Sequence, residues 1–237
     1  LKGKLKLGLR VYLNADGVWN RFGYDISSQD LLEKIQELDQ PLAGIHFHFS
    51  TNNFKISNYE VLLKKIEEFV NKAKITLEYL DIGGGLPAAN EFVYQQEIYE
   101  KLPGLISRIF PIIKIISEAG RNIVADAVRL ETQVISQKKV GGNRFQVNID
   151  TNIMHIPCIY EKKFWIEYGS GKKEKGKSTE LEIFGNSCMQ IDKIADSVLI
   201  VQEPVVGDKV TIHNIGAYSY SQAANFITPV PEVKTNE

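Results

Sequence analysis

Through its first half the chain alternates short apolar runs with amphipathic stretches, and few folds accept that pattern. Leu7 to Leu13 reads as a strand, in which Leu7, Leu9, Val11 and Leu13 alternate with Gly8, Arg10 and Tyr12. Asn14-Ala15-Asp16-Gly17 breaks it. Ser27-Ser28-Gln29-Asp30 caps a helix over about Leu31 to Leu38. Leu42 to Phe49 reads as a second strand. Asn58 to Ala73 predicts a helix with Val61, Leu62, Ile66, Phe69 and Val70 on one face. Leu77 to Ile82 is a third strand, ended by three glycines. A helix over about Val93 to Ile109 follows, with an interruption near Pro103-Gly104, and Ile112 to Ser117 is a fourth strand. Apolar strands linked through helices pair in parallel and are covered by those helices. Four such units are about half of a (β/α)8 barrel.

After about Val134 the pattern changes. Phe145 to Ile149, Lys163 to Tyr168, Leu181 to Phe184, Val198 to Val201 and Lys209 to Asn214 read as short strands between turn residues, with no long helix among them. The expected architecture is therefore α/β: a partial (β/α)8 barrel over residues 1–134, then a mainly β domain over residues 135–237. Gly169 to Ser178 reads as a solvated hairpin tip, and the tail from Pro229 as frayed.

The formal net charge of −1 gives no electrostatic basis for binding nucleic acid or an anionic membrane. No apolar run reaches the roughly 18 residues that span a bilayer. Two cysteines, Cys158 and Cys188, make no disulfide framework, which points to a reducing, cytoplasmic setting. The chain opens with Leu1 and reads as a piece of a longer protein.

Three runs sit where predicted strands end: Gly44-Ile45-His46-Phe47-His48-Phe49, Leu80-Asp81-Ile82-Gly83-Gly84-Gly85 and Glu118-Ala119-Gly120-Arg121. Glycines after a strand let backbone N–H groups approach a phosphate, although a triple glycine also makes a plain tight turn. Arg121 can meet a phosphate with a fork of donors, and Glu118 is a carboxylate at the strand end where barrel enzymes keep their sites. The pair also reads as a structural ion pair. His46 and His48 project to one side of their strand, Phe47 and Phe49 to the other. Two histidines at that spacing can bind a metal, but no carboxylate or cysteine lies at metal spacing, so no metal is expected. A packed core histidine, or a ring stacked on a flat cofactor, are the readings that remain.

The order of HFHFS, LDIGGG, EAGR, FGNSCMQID and GAYSYSQAANF resembles the fold-type III pyridoxal-phosphate decarboxylases of basic amino acids, which include diaminopimelate, ornithine and carboxynorspermidine decarboxylases. The resemblance runs from about Gly8 to Phe226. It implies that His48 stacks on the cofactor ring and takes part in catalysis. Thr51 falls where the family has a phosphate-binding Ser, with Ser50 in place of the usual Gly. Gly83, Gly84, Gly85, Gly120 and Arg121 would hold the phosphate, with Ala119 replacing the usual Pro. Glu118 would pair with the pyridine nitrogen and keep it protonated. Tyr218 would touch phosphate and substrate. Tyr160, Met189 and Arg121 would line the substrate. Cys188 would come from the partner subunit of a homodimer with shared sites and help reprotonate the product, a role suited to a thiol. Asp192 completes a G-x-x-C-x-x-x-D pattern in a structural role. Without the other motifs, Cys188 reads as a buried structural cysteine.

The catalytic lysine of the family lies on an early barrel strand, in a Tyr-Ala-x-Lys-Ala type motif, and this chain has no such motif. The chain is therefore expected to be a C-terminal fragment, inactive alone. Met189 stands where relatives acting on free diamino acids have an acidic residue, and Ile156 where diaminopimelate decarboxylases have an Arg. Neither reader of a distal charge is present. The implied function is decarboxylation of an amino acid or a conjugated amino acid, as in polyamine or siderophore-type biosynthesis. A racemase of the same fold and a non-catalytic regulator on this scaffold are the competing readings.

Overall fold

The structure is a computed structural model that describes residues 5–14, 19–49, 55–88, 96–157, 164–169 and 178–235. Ser50, Thr51, Cys158, Tyr160 and residues 170–177 of the polar stretch lie outside the described residues. The chain forms two compact units, Leu1–Ile123 and Val124–Glu237. Among the described residues no helix is long and apolar enough to cross a membrane.

In the first unit β1 (Leu7–Tyr12), β2 (Tyr24–Asp25), β3 (Leu42–Phe47), β4 (Tyr79–Asp81) and β5 (Lys114–Ile116) form one parallel sheet in the order β2-β1-β3-β4-β5. From β1 through β3 and β4 to β5 the sheet advances one position at a time without reversing. That is the winding of a barrel, not of a doubly wound sheet. The crossovers carry α1 (Gln29–Gln36), α2 (Ile56–Ala73) and α3 (Lys101–Ile109). Right-handed crossovers put these helices on one face, where α2 packs against both neighbours.

Strand periodicity sets what each side of β3 does. Phe47 and Phe49 are buried and meet Tyr59 of α2 edge-on, with ring centroids 6.3 and 5.1 Å apart. Burial pushes the Tyr59 hydroxyl up to about 12. His46 and His48 are left on the opposite, half-buried side.

Two expectations for this unit need correction. Val61 is 52% exposed, while Tyr59, Leu62, Leu63, Ile66, Phe69 and Val70 carry the buried face of α2. At about 100° per residue Val61 falls on the opposite side from that group. Also, α3 runs unbroken through Pro103-Gly104. Pro103 sits in the first turn, where an N–H has little to bond, and the irregularity is a π-helical turn just before it, Gln96–Glu100.

The second unit holds β6 (Leu130–Gly141), β7 (Arg144–Ile149), β8 (Trp165–Tyr168), β9 (Thr179–Phe184), β10 (Lys193–Ile200) and β11 (Lys209–His213), ordered β10-β9-β7-β6-β11-β8. Pairing is antiparallel except between β7 and β9. Phe145, Val147, Ile149, Leu181, Ile183, Val210 and Ile212 form its core. One strand is absent from the sequence pattern and another is longer than it showed. In β6, which was not among the expected strands, only Val134 is buried and every residue from Ile135 on is exposed, and β10 begins five residues ahead of Val198, at Lys193. The units divide ahead of the pattern change near Val134 because the segment from Val124 leads into β6. Of the tail, Thr228 Oγ1 accepts from Asn152 Nδ2 (3.1 Å) and the Val230 N–H donates to Asn225 Oδ1 (2.9 Å), so the chain stays tied past Pro229. The short helices α4 (Arg121–Val124) and α5 (Ser219–Gln222) complete the regular elements used below.

Candidate functional site

Because β3, β4 and β5 are neighbours in parallel register, their carboxyl ends reach one edge of the sheet together: His46 lies opposite Asp81, and Asp81 opposite Ile116. His48, Gly83-Gly84-Gly85 and Glu118 follow immediately on these three strands. The Glu118 N–H donates to the Gly83 carbonyl (2.9 Å), strapping the β4 loop to the end of β5. Gly83 has φ +66°, and its N–H donates to Asp81 Oδ1 (2.9 Å). A Cβ on Gly84 would stand 2.8 Å from the Glu118 carbonyl, so a side chain there would force the two strand ends apart.

The Gly84 N–H donates to His48 Nδ1 (3.2 Å), which leaves the neutral imidazole with its proton on Nε2. Burial lowers the His48 pKa from its ordinary value, and the nearby charges of Arg10 and His46 lower it further. The unfolded chain therefore binds this proton more readily than the folded one. The His48 contribution to stability is fully present above its ordinary value near 6.5 and is lost as pH falls. The wild-type protein is expected to lose stability between about pH 7 and pH 5 more steeply than His48→Gln. Urea unfolding at both pH values checks this, and parallel losses would refute it.

The N–H groups of Gly83 and Gly84 are thus engaged within the site itself. Gly85, like Gly83, has a left-handed backbone, at φ +75°. Arg121, the first residue of α4, reaches the Leu86 carbonyl through Nη2 (3.5 Å).

Carboxylates gather where sequence spacing showed none. His46 Nε2, one oxygen of Asp81 and one of Glu118 all lie within 4.8 Å of one another. His46 Nε2 is 3.4 Å from Glu118 Oε2 without hydrogen-bond alignment, and it is buried with no hydrogen-bond partner. Strand pairing supplies this cluster, which linear spacing could not reveal. His48 is not part of it; its Nδ1 accepts the Gly84 N–H. Two carboxylates gathered at one point suit a cationic nitrogen better than a neutral or anionic group.

The remaining sequence-derived candidates belong to the second unit. Cys188 is exposed in the loop between β9 and β10 and Met189 is half-buried beside it. The cavity there, about 160 Å³, is lined by Asn148, Phe184, Cys188, Met189 and Asp192 among others. Asp192 is 2% exposed and accepts from the N–H groups of Ile153 (2.7 Å, Oδ1) and Ser187 (2.9 Å, Oδ2). Ile156 is 3% exposed and packed in the core of this unit. Tyr218 is half-exposed at φ +67°, a left-handed conformation uncommon for a residue with a Cβ. Two residues of the site were not legible in the sequence: Asp81, which the Leu-Asp preceding the glycines could have flagged, and Trp19, which no motif marks.

The family model for the pyridoxal binding domain of pyridoxal-dependent decarboxylases matches residues 6–125. Diaminopimelate decarboxylase of Helicobacter pylori is 28% identical over 221 residues, covering 87% of this chain and 52% of that protein. Antizyme inhibitor 1 of Mus musculus is 27% identical over 234 residues, covering 87% of this chain and 51% of that protein. A crystal structure of lysine decarboxylase from Selenomonas ruminantium superposes with a TM-score of 0.66 at 26% identity, over 89% of this chain and 57% of that one. The chain spans about half the length of the curated relatives it matches. With a barrel-wound sheet, its strand-end glycines and its carboxylates matched along residues 6–125, the chain belongs to the pyridoxal-dependent decarboxylase family.

Proposed function

We propose that the protein is a pyridoxal-phosphate-dependent decarboxylase of an amino-acid-type substrate, acting as a homodimer with shared sites. The observation that carries this reading is the meeting of Glu118, His48 and the Gly83–Gly85 loop at adjacent strand ends. The residues present fit the cofactor: a neutral oriented imidazole suits a flat ring, the His46–Asp81–Glu118 cluster suits a protonated ring nitrogen, and the absence of a Cβ on Gly84 lets the β4 loop close on Glu118 and His48. When bound, pyridoxal phosphate supplies an electron sink for the pair left as carbon dioxide departs.

The chain's own residues then have distinct tasks. Glu118 holds a proton at the ring nitrogen. His48 offers a face for stacking, kept uncharged by burial. Gly85, Gly120 and Arg121 bind the phosphate, with Thr51 and Tyr218. Cys188 delivers a proton to the product carbon, and Tyr160 and Met189 line the substrate. Met189 carries no charge to meet a distal ammonium, which supports a substrate whose far end is conjugated.

Adding pyridoxal phosphate to the full-length protein should produce a saturable shift in cofactor absorbance, with carbon dioxide released from the correct substrate. No saturable binding would end this reading. Rapid turnover of free ornithine, lysine or meso-diaminopimelate would end the conjugated-substrate part alone. Similarity to antizyme inhibitor 1, a relative not named for a decarboxylase activity, favours a second reading as a non-catalytic regulator. Cofactor binding without turnover of any amino acid or conjugate would favour it.

A further inference from the structure

Trp19 lies on the segment between β1 and β2, away from the motifs that mark the site, and the proposed function gives it no task. Its ring nevertheless lies almost parallel to that of His48, with centroids 5.4 Å apart and an interplanar angle of 12°. The Trp19 N–H donates to the Phe49 carbonyl (2.8 Å), so its backbone is fixed to the chain one residue past His48. His48 is thus constrained from two directions: Gly84 holds Nδ1 in the plane of the ring, and the indole lies against one of its faces.

Hydrogen bonding at one ring nitrogen leaves an imidazole able to swing about that contact. A second ring stacked on it removes that freedom. Offset-stacked aromatic pairs contribute beyond simple burial, and Trp offers the largest face for such contact. An imidazole has two faces, and Trp19 takes one of them.

We infer that Trp19 is a positioning residue of the cofactor site, the outer ring of a three-layer stack in which His48 lies between the indole and a planar ligand. The inference rests on the pyridoxal-phosphate reading above. Its ligand class is an aromatic or heteroaromatic ring, and it acts on affinity and ring orientation, not on the proton at the ring nitrogen.

The test titrates pyridoxal phosphate into the full-length wild-type protein and into Trp19→Ala, Trp19→Phe and His48→Ala. Affinity and the circular dichroism induced in the cofactor's absorption band are both read. Trp19→Ala is expected to weaken binding about tenfold and to reduce the induced band, while Trp19→Phe, which keeps a stacking face, stays within about threefold of wild type. Far-ultraviolet circular dichroism checks that each variant is folded. An alanine variant that is folded and binds with wild-type affinity and band shape overturns the inference. So does one that binds more tightly, since the indole would then occupy the ligand's own face. Equal losses in the Phe and Ala variants overturn it too, because the stacking face would not be what matters. Failure of the wild type to bind removes the cofactor reading itself. Weakening in His48→Ala without weakening in Trp19→Ala removes only this inference.

Discussion

Glu118→Gln is expected to lower decarboxylation by the full-length protein by two to three orders of magnitude, the size of effect found when a charge-stabilising group is removed from a catalytic site. Gln keeps the shape of Glu and can still accept a hydrogen bond, but it has no charge with which to hold a proton on a pyridine nitrogen. The loss should therefore appear in kcat, with a smaller change in cofactor affinity. His46 does not replace Glu118, since an imidazole brings no negative charge. Steady-state kinetics with a fixed saturating cofactor concentration make the measurement. Turnover of Glu118→Gln within tenfold of wild type would remove Glu118 from the proposed mechanism.

The second large effect is on stability and lies in the other unit. Asp192 receives two backbone N–H groups, from Ile153 and Ser187, while almost wholly buried. Its own backbone closes the same loop, accepting from the Gly185 N–H (2.9 Å) and donating to the Met189 carbonyl (3.0 Å). Asp192→Ala leaves two buried donors without partners, and the expected cost is about 3–5 kcal/mol. That corresponds to a drop of about 10 °C or more in the midpoint of the unit's thermal transition. Asp192→Asn keeps the volume but turns an amide N–H₂ toward one of the two donors, and is expected to cost less. Gly185→Ala should resemble Asp192→Ala, because an added Cβ would stand well inside van der Waals distance of both Asp192 carboxylate oxygens. Calorimetry on the three variants checks the series. A midpoint for Asp192→Ala within about 2 °C of wild type would show that the loop does not depend on this carboxylate.

The parts of the site that were legible in sequence are those that strand periodicity fixes. The alternation in Gly44 to Phe49 placed both histidines on one face and both phenylalanines on the other. The end of an apolar run located the glycines and Glu118. What stayed hidden depends on pairing between strands or on loop paths. Asp81 and Glu118 come together with His46 only because β3, β4 and β5 align in register. Trp19 meets His48, 29 positions further along the chain, with no motif around it to signal the contact. The same holds for the fold: β6 is a twelve-residue strand whose side chains are mostly exposed, so it lacks the alternation that betrayed β7. The triple glycine was legible as a strand end, but its N–H bonds to Asp81 and His48, which depend on contacts within and between strand ends, were not.

The order of strands also fixes when each unit can form during synthesis. In the first sheet each strand pairs with the one made shortly before it, so pairing can follow the chain as it emerges. The second sheet closes differently: β6, made early, pairs with β11 across all the intervening strands. Until residue 213 has left the ribosome, one edge of β6 has no partner. That pairing therefore leaves a strand edge waiting longer during synthesis than any pairing in the first sheet does.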